Sequence, residues 1–112
     1  MTPVIDYAEL PVDRAVCALV QGEQVALVRT SDGDLYAVGN FDPVGRAMVM
    51  SRGIVGSRGG RDVLTSPLHK QAYDLRTGVC LDEDGYALPV HDVRVVDGVV
   101  EIGLVHQERR PA

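Results

Sequence analysis

Apolar residues along the chain come in short runs with a period of two, broken at close intervals by glycine, aspartate and asparagine, which is the signature of half-buried strands joined by tight turns. Residues 15–20 and 24–30 are β-branched runs on either side of Gln21-Gly22-Glu23, and Ser31-Asp32-Gly33-Asp34 then turns the chain into residues 35–38. A three-strand meander is expected there. Further on, 63–65 and 71–73 read as strands flanking a loop, and Asp74-Leu75-Arg76-Thr77-Gly78 reads as a turn with Val79-Cys80-Leu81 continuing the hairpin. Residues 88–96 predict a strand entered at Pro89. Asp97-Gly98 joins it to 99–102, and Asp-Gly between alternating apolar residues is a strong two-residue hairpin signal. Between Asn40 and Gly60 the pattern dissolves into Gly, Arg and Met, with no helical period and two brief apolar pieces, 48–50 and Ile54-Val55. A loop this long in a small domain is expected to be ordered and functional.

Composition narrows the fold class. The 112 residues are 46% hydrophobic but only 4% aromatic, with no Trp and 12 Gly, which favours Val-rich strands and many turns. One all-β domain over 1–105 is expected, followed by a flexible polar tail over 106–112. Cys17 and Cys80 sit singly in apolar runs, as buried free thiols would, without a disulfide framework. The first residues lack a basic stretch and an apolar run of signal or membrane length, so a cytoplasmic protein is expected, with no membrane partner.

Charge adds a local feature. A formal net charge of −5 argues against a nucleic-acid partner. Residues 43–61, however, hold Arg46, Arg52, Arg58 and Arg61 with no acid, so that segment is +4 and the rest of the chain −9. Arg58-Gly59-Gly60-Arg61 lacks the Lys-Ser/Thr of a phosphate loop and reads as a tight turn.

The candidate site centres on Ser66-Pro67-Leu68-His69, followed by Gln71-Ala72-Tyr73 and the Asp74–Gly78 turn. In Rieske-type domains the second cluster loop reads Cys-Pro-x-His before a strand and an Asp-Leu-x-Thr-Gly turn, and this stretch resembles it with Ser66 in place of the cysteine. The first loop is then Asn40-Phe41-Asp42-Pro43, after the strand-like Leu35–Gly39, with Asn40 and Asp42 in place of Cys and His. A Rieske cluster takes two thiolates on one iron and two imidazoles on the other. Only His69 of the four survives, so no cluster is expected. This double departure, together with Ser51-Arg52-Gly53-Ile54-Val55-Gly56-Ser57-Arg58-Gly59, resembles the small subunits of bacterial assimilatory NAD(P)H-dependent nitrite reductases over roughly residues 4–104.

That resemblance implies a Rieske-like antiparallel β-sandwich with long loops. It also implies a non-catalytic structural or docking subunit, without a cofactor of its own. The large subunit would carry flavin, sirohaem and an iron–sulfur centre and reduce nitrite to ammonium. The alternative is a small ferredoxin-like electron carrier with another metal at Asp42 and His69. In the Rieske-like frame Asp42, Ser66 and His69 come together, and three chemistries are open to them: a Ser-His-Asp nucleophile, a mononuclear metal, or hydrogen bonds to loop backbone. The first lacks any sign of an oxyanion hole and the second lacks ligands. The third is favoured, at about 1 kcal/mol for each side chain removed. His91 and His106 have no metal-spaced companions. For docking the large subunit the Arg-rich segment is the candidate: Arg46, Arg52, Arg58 and Arg61 around Met50 and Ile54, with Met48 and Val55 beside them.

Overall fold

The computed structural model describes residues 1–105; the tail at 106–112, His106 included, lies outside the described residues. Eleven strands are present among the described residues: β1 Thr2–Asp6, β2 Ala15–Val20, β3 Glu23–Arg29, β4 Leu35–Gly39, β5 Phe41–Asp42, β6 Ala47–Met48, β7 Ile54–Arg58, β8 Arg61–Thr65, β9 Ala72–Asp74, β10 Val90–Val96 and β11 Val99–Gly103. They form a six-stranded sheet in the order β1-β11-β10-β4-β3-β2, a three-stranded sheet β7-β8-β9 and the small hairpin β5-β6, every ladder antiparallel. The expected fold class is the one observed.

The meander β2-β3-β4 is as the pattern predicts, except that β3 begins at Glu23, because Gln21-Gly22 alone (φ 49° and 83°) makes the turn. Asp97-Gly98 (φ 52° and 80°) and Gly59-Gly60 (φ 59° and 80°) close β10-β11 and β7-β8 in the same way. Positive φ at both central residues matches the twist of the flanking strands. The edge strand β1 was not legible in the pattern. It pairs with β11 through an irregularity between Pro3 and Ile5, where a residue without an N–H is tolerated.

The central strand β3 is buried over four consecutive residues, Val25 to Val28, because each of its faces meets a different core. Val25 and Leu27 point into the curl of the large sheet with Leu10, Val20, Ala37, Val100 and Ile102. Ala26 and Val28 point the other way, with Val38, Met50, Leu64, Tyr73, Leu75, Cys80 and Leu88, and this second core binds the three-stranded sheet to the large one. Arg29 fastens the N-terminal segment: its guanidinium lies 4.1 Å from the Tyr7 ring centroid and donates to the Tyr7 and Leu10 carbonyls at 3.1 Å each.

The segment expected to be a long loop is mostly regular. It holds β5, β6, a turn of 3-10 helix at Met50–Arg52 and β7. Strands of two residues leave too short an alternation to read. Met50, expected at a docking surface, is fully buried in the second core, because the 3-10 turn folds its side chain between the sheets. Cys80 is buried as expected, whereas Cys17 is exposed on β2.

The Asp74 turn shows why each of its residues is needed. Asp74 Oδ1 accepts from the Arg76 and Thr77 amides (2.8 and 3.3 Å), Leu75 enters the core, and Gly78 takes φ +81° with the Leu88 carbonyl 2.1 Å from where a Cβ would stand. Gly78→Ala is expected to destabilise the domain by about 2 kcal/mol or more in urea denaturation. Gly56→Ala, in an open position on β7 with ordinary φ, should cost nothing measurable. Equal effects of the two would refute the turn's assigned role.

Candidate functional site

Alternation along an extended chain decides how the first loop is presented. Asn40 and Asp42 point inward and are buried, while Phe41 between them points out. Asn40 Oδ1 accepts from the Ser51 amide (2.6 Å), and its Nδ2 donates to Gln24 Oε1 (2.9 Å) with Cys17 Sγ at 3.8 Å. The Met50 amide donates to the Asn40 carbonyl at 3.0 Å. This one residue therefore ties the first loop to the meander and to the 3-10 turn.

Asp42 links the first loop to the second. Its Oδ1 accepts from the Val44 and Gly45 amides (2.9 and 3.0 Å), and its Oδ2 accepts from the Ser66 hydroxyl. Ser66 Oγ in turn accepts from the Leu68 amide at 3.2 Å, and the loop closes through Ser66 N to the Gln71 carbonyl (2.9 Å) and Lys70 N to the Ser66 carbonyl (3.2 Å). Gly45 packs closely against both loops: a Cβ there would stand 2.6 Å from Leu68 Cδ1, the tip of an exposed side chain that would have to shift, and 3.0 Å from Asp42 Oδ2. Burial pushes the Asp42 carboxyl up, but the Ser66 hydroxyl, the Gly45 and Val44 amides and the charge of His69 outweigh it and hold the group below its ordinary range. His69 is exposed, so of the four expected site residues three are brought together in the interior and the fourth acts on them only through its charge.

The four ligand positions do not fit a [2Fe-2S] cluster. No thiolate is present at any of them, and the polar atoms of Asn40, Asp42 and Ser66 are already engaged with one another, with the Gln24 side chain or with backbone. The same occupancy disfavours a mononuclear metal on Asp42 and His69. Ser66 donates to Asp42 rather than to a histidine, which is not a nucleophile's arrangement.

The Arg-rich segment divides. Arg58 pairs bidentately with Asp82 (2.8 and 3.3 Å), foremost among the contacts that hold the Asp82 carboxyl below its ordinary range, and Arg61 pairs with Asp74 at 3.3 Å. These acids lie far along the chain, out of reach of a reading of local charge. Arg46, Arg52 and Ile54 remain exposed, Ile54 at 72%, and neither arginine forms an ion pair among the described residues. His91 is buried, its Nδ1 accepting from the Val105 amide at 3.0 Å.

Fold and site together define a Rieske-like domain in which hydrogen-bonding side chains stand at the cluster-ligand positions. The family described as the Rieske-like [2Fe-2S] domain matches residues 1–103. The nitrite reductase (NADH) small subunit of Salmonella typhimurium is 41% identical over 88 residues, covering 78% of this chain and 82% of that protein. A Mycobacterium tuberculosis protein provisionally assigned as an NADH-dependent nitrite reductase small subunit has a crystal structure with TM-score 0.89 and 46% identity, covering 93% of this chain and 94% of that one. The Klebsiella oxytoca nitrite reductase [NAD(P)H] large subunit is 35% identical over 100 residues, which is 89% of this chain but 10% of that protein. This chain belongs to the Rieske-like family and, within it, to the small subunits of NAD(P)H-dependent nitrite reductase.

The geometry separates three substitutions that the sequence treated alike. Asp42→Ala leaves two half-buried amides and a buried hydroxyl without their acceptor and is expected to cost roughly 2–4 kcal/mol, Ser66→Ala about 1–2, and His69→Ala under about 0.5. Since Asp42 titrates below the unfolded carboxyl, near pH 4, its stabilisation is complete above about pH 5 and fades as pH falls through that range. The stability gap between wild type and Asp42→Asn, measured by denaturant titration, should therefore shrink from pH 6 to pH 3; a pH-independent gap would refute the assignment.

Anaerobic reconstitution with iron and sulfide should give no visible charge-transfer bands. Stoichiometric iron with a Rieske-like EPR signal after reduction would overturn the reading of the four positions.

Proposed function

We propose that this chain serves as the small, non-catalytic subunit of an NAD(P)H-dependent nitrite reductase, a partner of the large subunit that reduces nitrite to ammonium in nitrate assimilation. The observation that carries this reading is the likeness to small subunits across about four-fifths of both chains, joined to a site whose side chains are spent on holding loops. The large-subunit relative that contains a stretch like this domain supports the pairing. Flavin, sirohaem and an iron–sulfur centre belong, in this reading, to the large subunit, and electrons pass through them rather than through this domain. Use of a soluble nicotinamide donor supports a cytoplasmic setting, and no helix among the described residues is long and apolar enough to cross a membrane.

A ferredoxin-like carrier with a metal at Asp42 and His69 is the weaker alternative, because Asp42 has no oxygen left unbonded. For docking, Arg46, Arg52 and Ile54 are the members of the Arg-rich segment available to a partner. Met50 is core, and Arg58 and Arg61 are engaged within the chain. Arg46→Glu and Arg52→Glu should each weaken association with the large subunit by about three- to tenfold at low salt, and the loss should shrink as ionic strength rises. Arg58→Glu should leave association near wild type, because its guanidinium is already engaged by Asp82 within the chain, and should change stability little. Titrating large subunit with each variant tests both statements; wild-type affinity for Arg46→Glu and Arg52→Glu together would remove this segment from the interface. NAD(P)H-dependent ammonium formation by the reconstituted pair, absent when nitrite is withheld, tests the function itself.

A further inference from the structure

The chain contains a single Phe, and it lies on the surface. Phe41 is 42% exposed and faces Met48, 43% exposed, directly across the β5-β6 ladder. Neither is free to turn inward, because Asn40 and Asp42 on either side of Phe41 are pinned by their buried hydrogen bonds and alternation puts Phe41 on the opposite face. Beside this pair runs an open groove of about 420 Å³, with Pro43, Ala87 and Pro89 completing the apolar wall that Phe41 and Met48 begin, and with Glu23, an exposed acid, and Gln24 and His91 also in its lining. Its floor is rigid. The Gly39 amide donates to the Pro89 carbonyl at 2.9 Å, and a Cβ on Gly39 would stand 2.7 Å from Pro89 Cγ.

We propose that this groove is the anchor pocket for the large subunit, receiving an aromatic or large aliphatic side chain from a segment that carries acidic residues. The inference rests on the function proposed above and names the surface through which it works. Size and lining suit one such side chain: concave apolar sites of about 300–1,000 Å³ take apolar groups, and interface energy concentrates where a few large apolar side chains are fully desolvated. Charge selects the flanking residues. Arg46, at the turn of the same hairpin, and Arg52, just beyond it, are exposed cations outside any ion pair among the described residues, in a stretch free of acids. An acidic segment is steered there and oriented by them, whereas a second copy of this chain, which is −9 outside the stretch, would have to bring its own groove and arginines face to face in a two-fold contact.

The test uses the full chain and its purified large subunit. Phe41→Ser and Met48→Ser change exposed positions, so their melting temperatures should stay within a few degrees of wild type. Each should raise Kd for the large subunit at least about tenfold, and the pair about a hundredfold, chiefly through faster dissociation. Val95→Ser, equally exposed at 42% but on β10 near the far hairpin, is the matched control and should bind as wild type does. Wild-type affinity in both groove variants, with wild type itself binding, overturns the groove and leaves the subunit assignment standing. Failure of wild type to bind the large subunit overturns that assignment and the groove with it. Loss of self-association in Phe41→Ser without loss of large-subunit binding would assign the groove to a second copy and overturn the proposal.

Discussion

A carboxylate removed entirely from water must be solvated by the protein, and the way Asp42 meets that requirement organises the site end of the domain. Its two oxygens take two amides of their own loop and the hydroxyl of the other loop. Charge-assisted hydrogen bonds of this kind are about twice as strong as neutral ones, and inside a low-dielectric interior they are costly to break. One buried anion thus fixes the β5-β6 turn and holds the two loops together.

In a Rieske domain the metal cluster bridges these loops. Here a bridge of side chains has the same topology, with Asn40 anchoring the first loop to Gln24 and Ser51 and Asp42 reaching across to Ser66. Such a bridge holds the two loops in one frame. Cluster chemistry at such positions and the shape of the surface around them are separable. A subunit that keeps the second without the first is suited to assembly, which accords with its kinship to nitrite reductase small subunits.

The arginines show how tertiary structure sorts residues that are alike in sequence. Four fall in one acid-free stretch, yet Arg58 and Arg61 sit on the β7-β8 hairpin, where Asp82 and Asp74 are brought beside them by the β9 connection. Arg46 and Arg52 form no ion pair among the described residues. Exposed pairs of this sort contribute little to stability, so their main effect is to set which cations remain for another molecule.

By itself the sequence determined the all-β class, the meander, the two-residue hairpins and the identity of the degenerate loops, because period-two alternation, glycine-bearing turns and short motifs are local properties of the chain. It also favoured hydrogen bonding within the loops for Asn40, Asp42 and Ser66 over a nucleophile or a metal site, because those residue types lack the companions either chemistry needs. Tertiary structure decided what depends on partners distant in the chain. It buried Met50 through a 3-10 turn too short to leave a period, paired β1 with β11 across the whole domain, spent Arg58 and Arg61 on acids beyond the segment, and left His69 exposed while burying Asn40, Asp42 and Ser66. Phe41 falls between the two: alternation about Asn40 and Asp42 could have placed it outward, but only packing of Pro89 against Gly39 made the surface beside it a groove.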